Sequence, residues 1–218
     1  MVRRRTAVSI AVAGLLLAAP ALTACGSGPA HPGAAAVIGD HRITESTLQA
    51  RVDALRTEEG KSPQGEQALA SSGNLSAQTL SMLVQYEVIA RATSDAGLHV
   101  SDADVQREHA AALAQFGGSE AQLDAVLLQN YGVAPSGADE FFRSNVAVGK
   151  LIQSLGFQPG SDGGNQALVA SLSKTANSLG VHINPRYGTW DGKKAAIAAT
   201  SDPWVAKKTV IPEPDAGA

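Results

Sequence analysis

Between residues 101 and 156 the chain repeats one form of punctuation three times. Ser101 opens a segment that closes on Gly117-Gly118, Ser119 opens one that closes on Gly132, and Ser136 opens one that closes on Gly156. A serine hydroxyl satisfies the free N–H groups at a helix start, and glycine takes the left-handed turn just past a helix end. Ser101 and Asp104 have capping-box spacing, and Ser119 with Gln122 and Ser136 with Asp139 repeat the interval. Within the segments apolar residues recur at helical spacing: Val105, Ala112 and Phe116; Leu123, Val126, Leu127 and Tyr131; Phe141, Phe142, Val146, Leu151, Ile152 and Leu155. Helices this short, joined this tightly, bury their apolar stripes only against one another, which predicts a helical bundle.

The flanking sequence extends the pattern. Thr44 caps a helix with Glu45 in its first turn, Leu48, Val52 and Leu55 on one stripe, and Glu58-Glu59-Gly60 at its close. Residues 60–75 read as a loop with a brief helical turn around Glu66–Ala70. Ser76 is expected to cap the next helix, with Leu80, Leu83, Val84, Glu87 and Val88 on a mostly buried stripe and Gly97 beyond its end. After a glycine-rich loop at 157–165, Asn165 is expected to cap the last helix, which carries Leu168, Leu172 and Leu179 and stops at Gly180. The period then changes to two, with Val181 and Ile183 alternating with His182 and Asn184. The other strand signal is Val37-Ile38, a Gly39-Asp40 turn and His41–Ile43. A lone hairpin is marginal, so the two are expected to pair and close the domain, with Trp190 packing across them. The fold class is therefore mainly α: five to six helices closed by a small antiparallel β-pairing of the N- and C-terminal segments.

What precedes the fold reads as a lipoprotein leader. Arg3, Arg4 and Arg5 precede an uncharged run from Ala7 to Ala24 centred on Leu15–Leu17. This is the layout of a secretory signal, and Pro20 with the small residues around it points to cleavage rather than a retained span. Leu22-Thr23-Ala24-Cys25 resembles the bacterial lipobox. That resemblance implies cleavage after residue 24 and acylation of Cys25; two acyl chains give stable membrane attachment where one does not. The alternative is a free thiol. The arginines lack the apolar follower of a twin-arginine signal. Residues 25–34, rich in Gly, Ser, Pro and Ala, read as a flexible tether, residues 35–192 as the helical domain, and residues 193–218 as a partly disordered tail.

Loss of the three leader arginines leaves 14 basic against 20 acidic residues, a net charge of −6. A nucleic-acid binder needs a basic face, so no nucleic-acid partner is expected. With its one cysteine acylated the chain forms no disulfide.

Two stretches carry a family resemblance. "AAVIGDHRITESTLQARVDALR" resembles the opening of SurA-type chaperones, where a short strand, a turn, Ile-Thr and an amphipathic helix follow in this order. "VHINPRYGTW" is similar to the strand that closes this domain in actinobacterial lipoproteins of the group. The resemblance covers about residues 35–192 and implies a SurA N-terminal-domain-like lipoprotein that handles unfolded polypeptide. The family often carries a parvulin prolyl isomerase before the last helix. Here only about nine residues separate Gly156 from Asn165, where a domain needs about 50 or more, and the parvulin site residues have no counterpart.

Other chemistry has no motif to stand on. His31, His41, His99, His109 and His182 lack zinc-ligand spacing, and no nucleophile elbow, Walker loop or dinucleotide fingerprint is present. No catalytic residue, metal or cofactor is expected. Adjacent Asp139 and Glu140 point in different directions on a helix, and Lys193-Lys194 and Lys207-Lys208 read as solvated surface. Phe116, Tyr131, Phe141 and Phe142 fall on apolar stripes, which ordinarily makes them core. Adjacent Phe141 and Phe142 cannot share one narrow face, however, so these four rings are the candidate client-binding residues. The expected function is membrane-anchored, non-catalytic binding of unfolded or secreted polypeptide at the extracytoplasmic face of the cell membrane. The alternative is an accessory or scaffold lipoprotein for a folded partner, cell-wall component or small solute, with a prolyl isomerase ranked last. Sequence leaves the oligomeric state and the placement of Trp204 open.

Overall fold

A computed structural model describes residues 32–61, 65, 74–192 and 196–198. The leader, Cys25, most of the 60–75 loop, Trp204 and the last twenty residues lie outside the described residues.

Strands β1 (Ala34–Ile38) and β2 (His41–Thr44) form a hairpin on Gly39-Asp40, with Gly39 at φ +59° as a two-residue turn of this kind requires. Gly39 also donates its N–H to the Leu179 carbonyl at 3.1 Å. Strand β3 (Val181–Ile183) pairs antiparallel with the other edge of β1, giving the order β2-β1-β3. Asn184 fastens the junction: its N–H donates to Ala35 O at 2.9 Å and its amide donates to Ala34 O at 3.2 Å. The two ends of the domain are thus zipped together, as the change of period implied.

Six α-helices surround this sheet among the described residues. Helix α1 (Glu45–Glu59) is capped by Thr44, whose hydroxyl accepts from Thr47 N at 3.0 Å, and it buries Leu48, Val52 and Leu55. Helix α2 (Leu75–Asp95) is the central element, with Leu80, Val84, Val88 and Ile89 buried along it. Its N-cap is Asn74, two residues before the expected Ser76, and Glu87 lies half-exposed beside its stripe. Helix α3 (Asp102–Gln115) has the full capping box of Ser101 and Asp104. Helix α4 (Glu120–Tyr131) ends on left-handed Gly132. Helix α5 (Ala138–Ser154) differs from expectation at its start. Pro135 begins a 3-10 turn (Pro135–Gly137), so Ser136 lies inside that turn and does not cap the helix. Leu155, expected inward, is the C-cap and is exposed.

Helix α6 (Asp162–Leu179) starts at a Ser161 cap, four residues before Asn165, with Gly164 N donating to Ser161 Oγ at 3.1 Å. Gly163-Gly164 reads as loop in sequence, yet Gly164 is there for close packing. A Cβ on it would meet Ile152 Cγ2 of α5 at 2.9 Å. The fold also runs past residue 192. Strand β4 (Thr189–Asp191) pairs with β5 (Ala196–Ala198), Trp190 opposite Ile197, inside what sequence assigned to a tail. Both residues pack on the main core with Leu172, Leu179 and Tyr187.

The interior has three parts. One lies among the sheet, α1 and α2, around Ile38, Leu48, Val52, Leu80 and Val84. A second joins α3, α4 and α5 around Val105, Leu123, Leu127 and Phe142. The third links α2 to α5 through Ile89, Ala92, Ala147 and Leu151. No helix among the described residues is long and apolar enough to cross a membrane.

Candidate functional site

The interior parts do not meet flush. Between β2, the start of α1, α2, residues 98–100 and α5 lies a cleft of about 590 Å³, within the ordinary range for ligand sites. Its floor is apolar: Ile43, Leu83, Ile89 and Ala147 are buried. Its rim is charged, with His41, Arg42, Arg51, Glu87, Glu140 and Arg143.

Sequence-distant pairs hold the rim. The Arg51 guanidinium of α1 makes a close ion pair with Glu140 of α5 and also donates to Ser136 O at 3.4 Å. His41 Nε2 lies 3.7 Å from Glu87 Oε2. Arg143 donates to Asp102 at 2.9 Å, to Asp139 at 3.3 Å and to Val100 O at 3.5 Å, tying the 98–100 wall to α5. Lys150 completes that wall by donating to His99 O at 2.7 Å and to Asp104 Oδ2 at 2.8 Å. Asp104 also accepts from Ser101 N at 3.0 Å and pairs closely with Arg107. The Lys150 hydrogen bond, followed by those from Ser101, holds the Asp104 carboxyl well below the usual carboxylate range.

Tyr86 stands where the depressions of this face meet. It lines the large cleft, a small neighbouring hollow beside Val133 and Gly137, and a second groove of about 460 Å³. Burial, reinforced by the Glu140 charge and opposed by Arg51, raises its phenol pKa to about 12. The hydroxyl therefore stays protonated, and it has no hydrogen-bond partner among the described residues. A half-buried ring with a free donor is a natural contact for a polypeptide backbone.

The four rings singled out from sequence divide between surface and core. Tyr131 is 58% exposed and lines the second groove with Phe141, the two rings 5.0 Å apart. Phe142 is 3% exposed and sits edge-on to Phe141 at 5.5 Å and to His109 at 5.1 Å. It is the inward member of the adjacent pair and anchors the second core. Phe116, half-buried against that same core, lines neither the cleft nor the groove. Sequence reasoning missed Arg51, Tyr86 and Glu140. Tyr86 had one signal: it is one of only three tyrosines, set at the edge of an apolar stripe. The Arg51–Glu140 pair spans 89 positions and had none.

No curated protein and no solved structure matches the chain. A family model does, over residues 1–152 of the 218, up to the last turn of α5 and so across every helix that walls the cleft. With its opening strand, turn and amphipathic helix in place and its ends paired, the chain belongs to the SurA-like N-terminal domain family, whose role is chaperone-like.

Proposed function

We propose that the protein is an extracytoplasmic lipoprotein that holds unfolded or extended polypeptide without catalysing a reaction. Acyl groups on Cys25 fix it to the membrane, and residues 26–34 link that anchor to the folded domain. The observation that carries this reading is the cleft between β2, α2 and α5, apolar below and charged above. An unfolded chain presents apolar side chains together with unpaired backbone groups. The buried floor accepts the first, and Tyr86 with the polar rim accepts the second. Because Arg51, Glu140 and Arg143 already have partners, these three do not demand a counter-charge from the client. Contacts of this kind are weak and reversible, as a holding function requires.

The test is suppression of aggregation of an unfolded client by the purified chain. The expected result is suppression at stoichiometric amounts without nucleotide, weakened by Tyr86→Ala. No suppression, combined with retention of one folded partner, would instead support the scaffold alternative. Anchoring has its own test: Cys25→Ala moves the protein from the membrane fraction to the soluble one. If the variant still sediments with membranes, lipid on Cys25 is not the anchor.

A further inference from the structure

The sheet has an open edge, and that edge is one wall of the cleft. In the order β2-β1-β3 the outer side of β2 has no neighbouring strand among the described residues. Register fixes which backbone groups face outward. Asn184 N donates to Ala35 O, so Ala35, and by alternation Val37, turn their groups toward β3. Ala36 and Ile38 then turn theirs toward β2, where they meet Ile43 and His41. Arg42, opposite Val37, is left with its N–H and C=O directed off the edge. Neither these backbone groups nor its guanidinium has a partner among the described residues.

One charge beside this edge is left uncompensated. On the cleft rim Arg51 is paired with Glu140, Arg143 with Asp102 and Asp139, and His41 lies beside Glu87, whereas the Arg42 guanidinium has no partner among the described residues. Arg42 is thus the rim cation that, among the described residues, is left to meet a charge brought from outside. A charged residue on an edge strand ordinarily guards it against self-pairing. A lone arginine repels a second copy of itself and admits a strand that brings a carboxylate.

We propose that the cleft takes an extended, acid-flanked polypeptide segment as an added strand on β2. The segment pairs with the backbone of Arg42, sets its carboxylate on the Arg42 guanidinium and turns alternate apolar side chains toward Ile43 and Leu83. Strand addition takes affinity from the backbone and selectivity from the pockets and charges beside it. This deepens the chaperone reading and rests on it.

The test uses the purified full chain and fluorescently labelled ten-residue peptides of alternating Val and Thr, read by anisotropy. One peptide carries flanking Glu, a second carries Lys in its place, and two more are derivatives of the Glu peptide N-methylated on its odd or on its even residues. The Glu peptide is expected to bind about tenfold more tightly than the Lys peptide. Arg42→Glu inverts that order, and Arg42→Lys keeps it. One N-methylated series loses binding about tenfold or more while the other binds like its parent, because only one register faces the β2 edge. Equal binding of the Glu and Lys peptides, no response to Arg42→Glu, or equal binding of both N-methylated series overturns the proposal. A permanently unfolded client is measured alongside. If it binds while the peptides show no such preferences, the strand proposal fails and the chaperone reading stands. If neither client nor peptide binds, both fall.

Discussion

The core beneath the sheet and the core among α3, α4 and α5 are built differently. The first is aliphatic and closed: Leu48, Val52, Leu80 and Val84 are all fully buried, and strands from both ends of the domain lie over them. The second depends on one ring. Helix α3 buries only Val105 and helix α4 only Leu123 and Leu127, gathered around Phe142. A region with few buried apolar contacts opens at lower cost than one with many. The cleft lies where the two meet, with β2, α1 and α2 as one wall and α5 with residues 98–100 as the other. One wall is backed by the closed core and the other by the core with fewer buried contacts, which suits a site that must admit chains of different shape.

The sharpest way to break this contrast is Phe142→Ala. It removes the pivot of the second core and is expected to cost about 3–5 kcal/mol. Hydrogen exchange should show the loss of protection concentrated in α3 and α4. Uniform loss across the sheet would mean the two cores unfold as one. Leu80→Ala is the complementary case, with an expected cost of about 2–5 kcal/mol in denaturant unfolding and lowered protection in β1, α1 and α2.

Smaller changes sharpen the picture. Ser101→Ala removes the α3 cap and should cost about 1 kcal/mol, read as faster amide exchange in the first turn of α3. The smallest effect depends on pH. Asp104 has its carboxyl pKa lowered in the fold from an ordinary value of 3.8, so it favours the native state above that value. Its contribution falls away as pH drops below that value and the carboxylate takes up a proton. The stability gap between wild type and Asp104→Asn should therefore be constant near neutral pH and narrow steadily in acid. A gap independent of pH would remove the Lys150–Asp104 contact from the account of the 98–100 wall.

Much of the fold was legible because it is written locally. The capping box of Ser101 and Asp104, the Gly132 stop and the alternation at Val181–Ile183 are signals a few residues long, and the structure contains each. The pairing of the two ends was legible because an isolated hairpin leaves too much of its surface unburied. The errors arose where tertiary contact overrides local reading. Gly164 belongs to a helix because α5 comes too close for a side chain, and Ser136 does not cap because Pro135 diverts the chain into a tighter turn. Strand β5 was hidden in an alanine-rich stretch, in which Ile197 lies opposite Trp190.

The site was less legible than the fold. An apolar stripe fixes that one of Phe141 and Phe142 faces outward, but which one depends on where α3 and α4 pack. The cleft itself is made by residues far apart in the sequence, from His41 to Ala147. Arg42, Tyr86 and Arg143 carry no common motif, and only the packing of β2, α2 and α5 brings them to one opening.

The most direct measurement of client binding at this cleft is site-specific photocrosslinking in living cells. A photoreactive residue at exposed Thr47, on the cleft wall, is compared with one at Lys174 on α6, which lines none of the depressions described above. Chains caught before they fold should be captured from position 47 and not from position 174. Equal capture at both positions, or capture at 47 of folded proteins alone, would contradict a chaperone that works through this cleft.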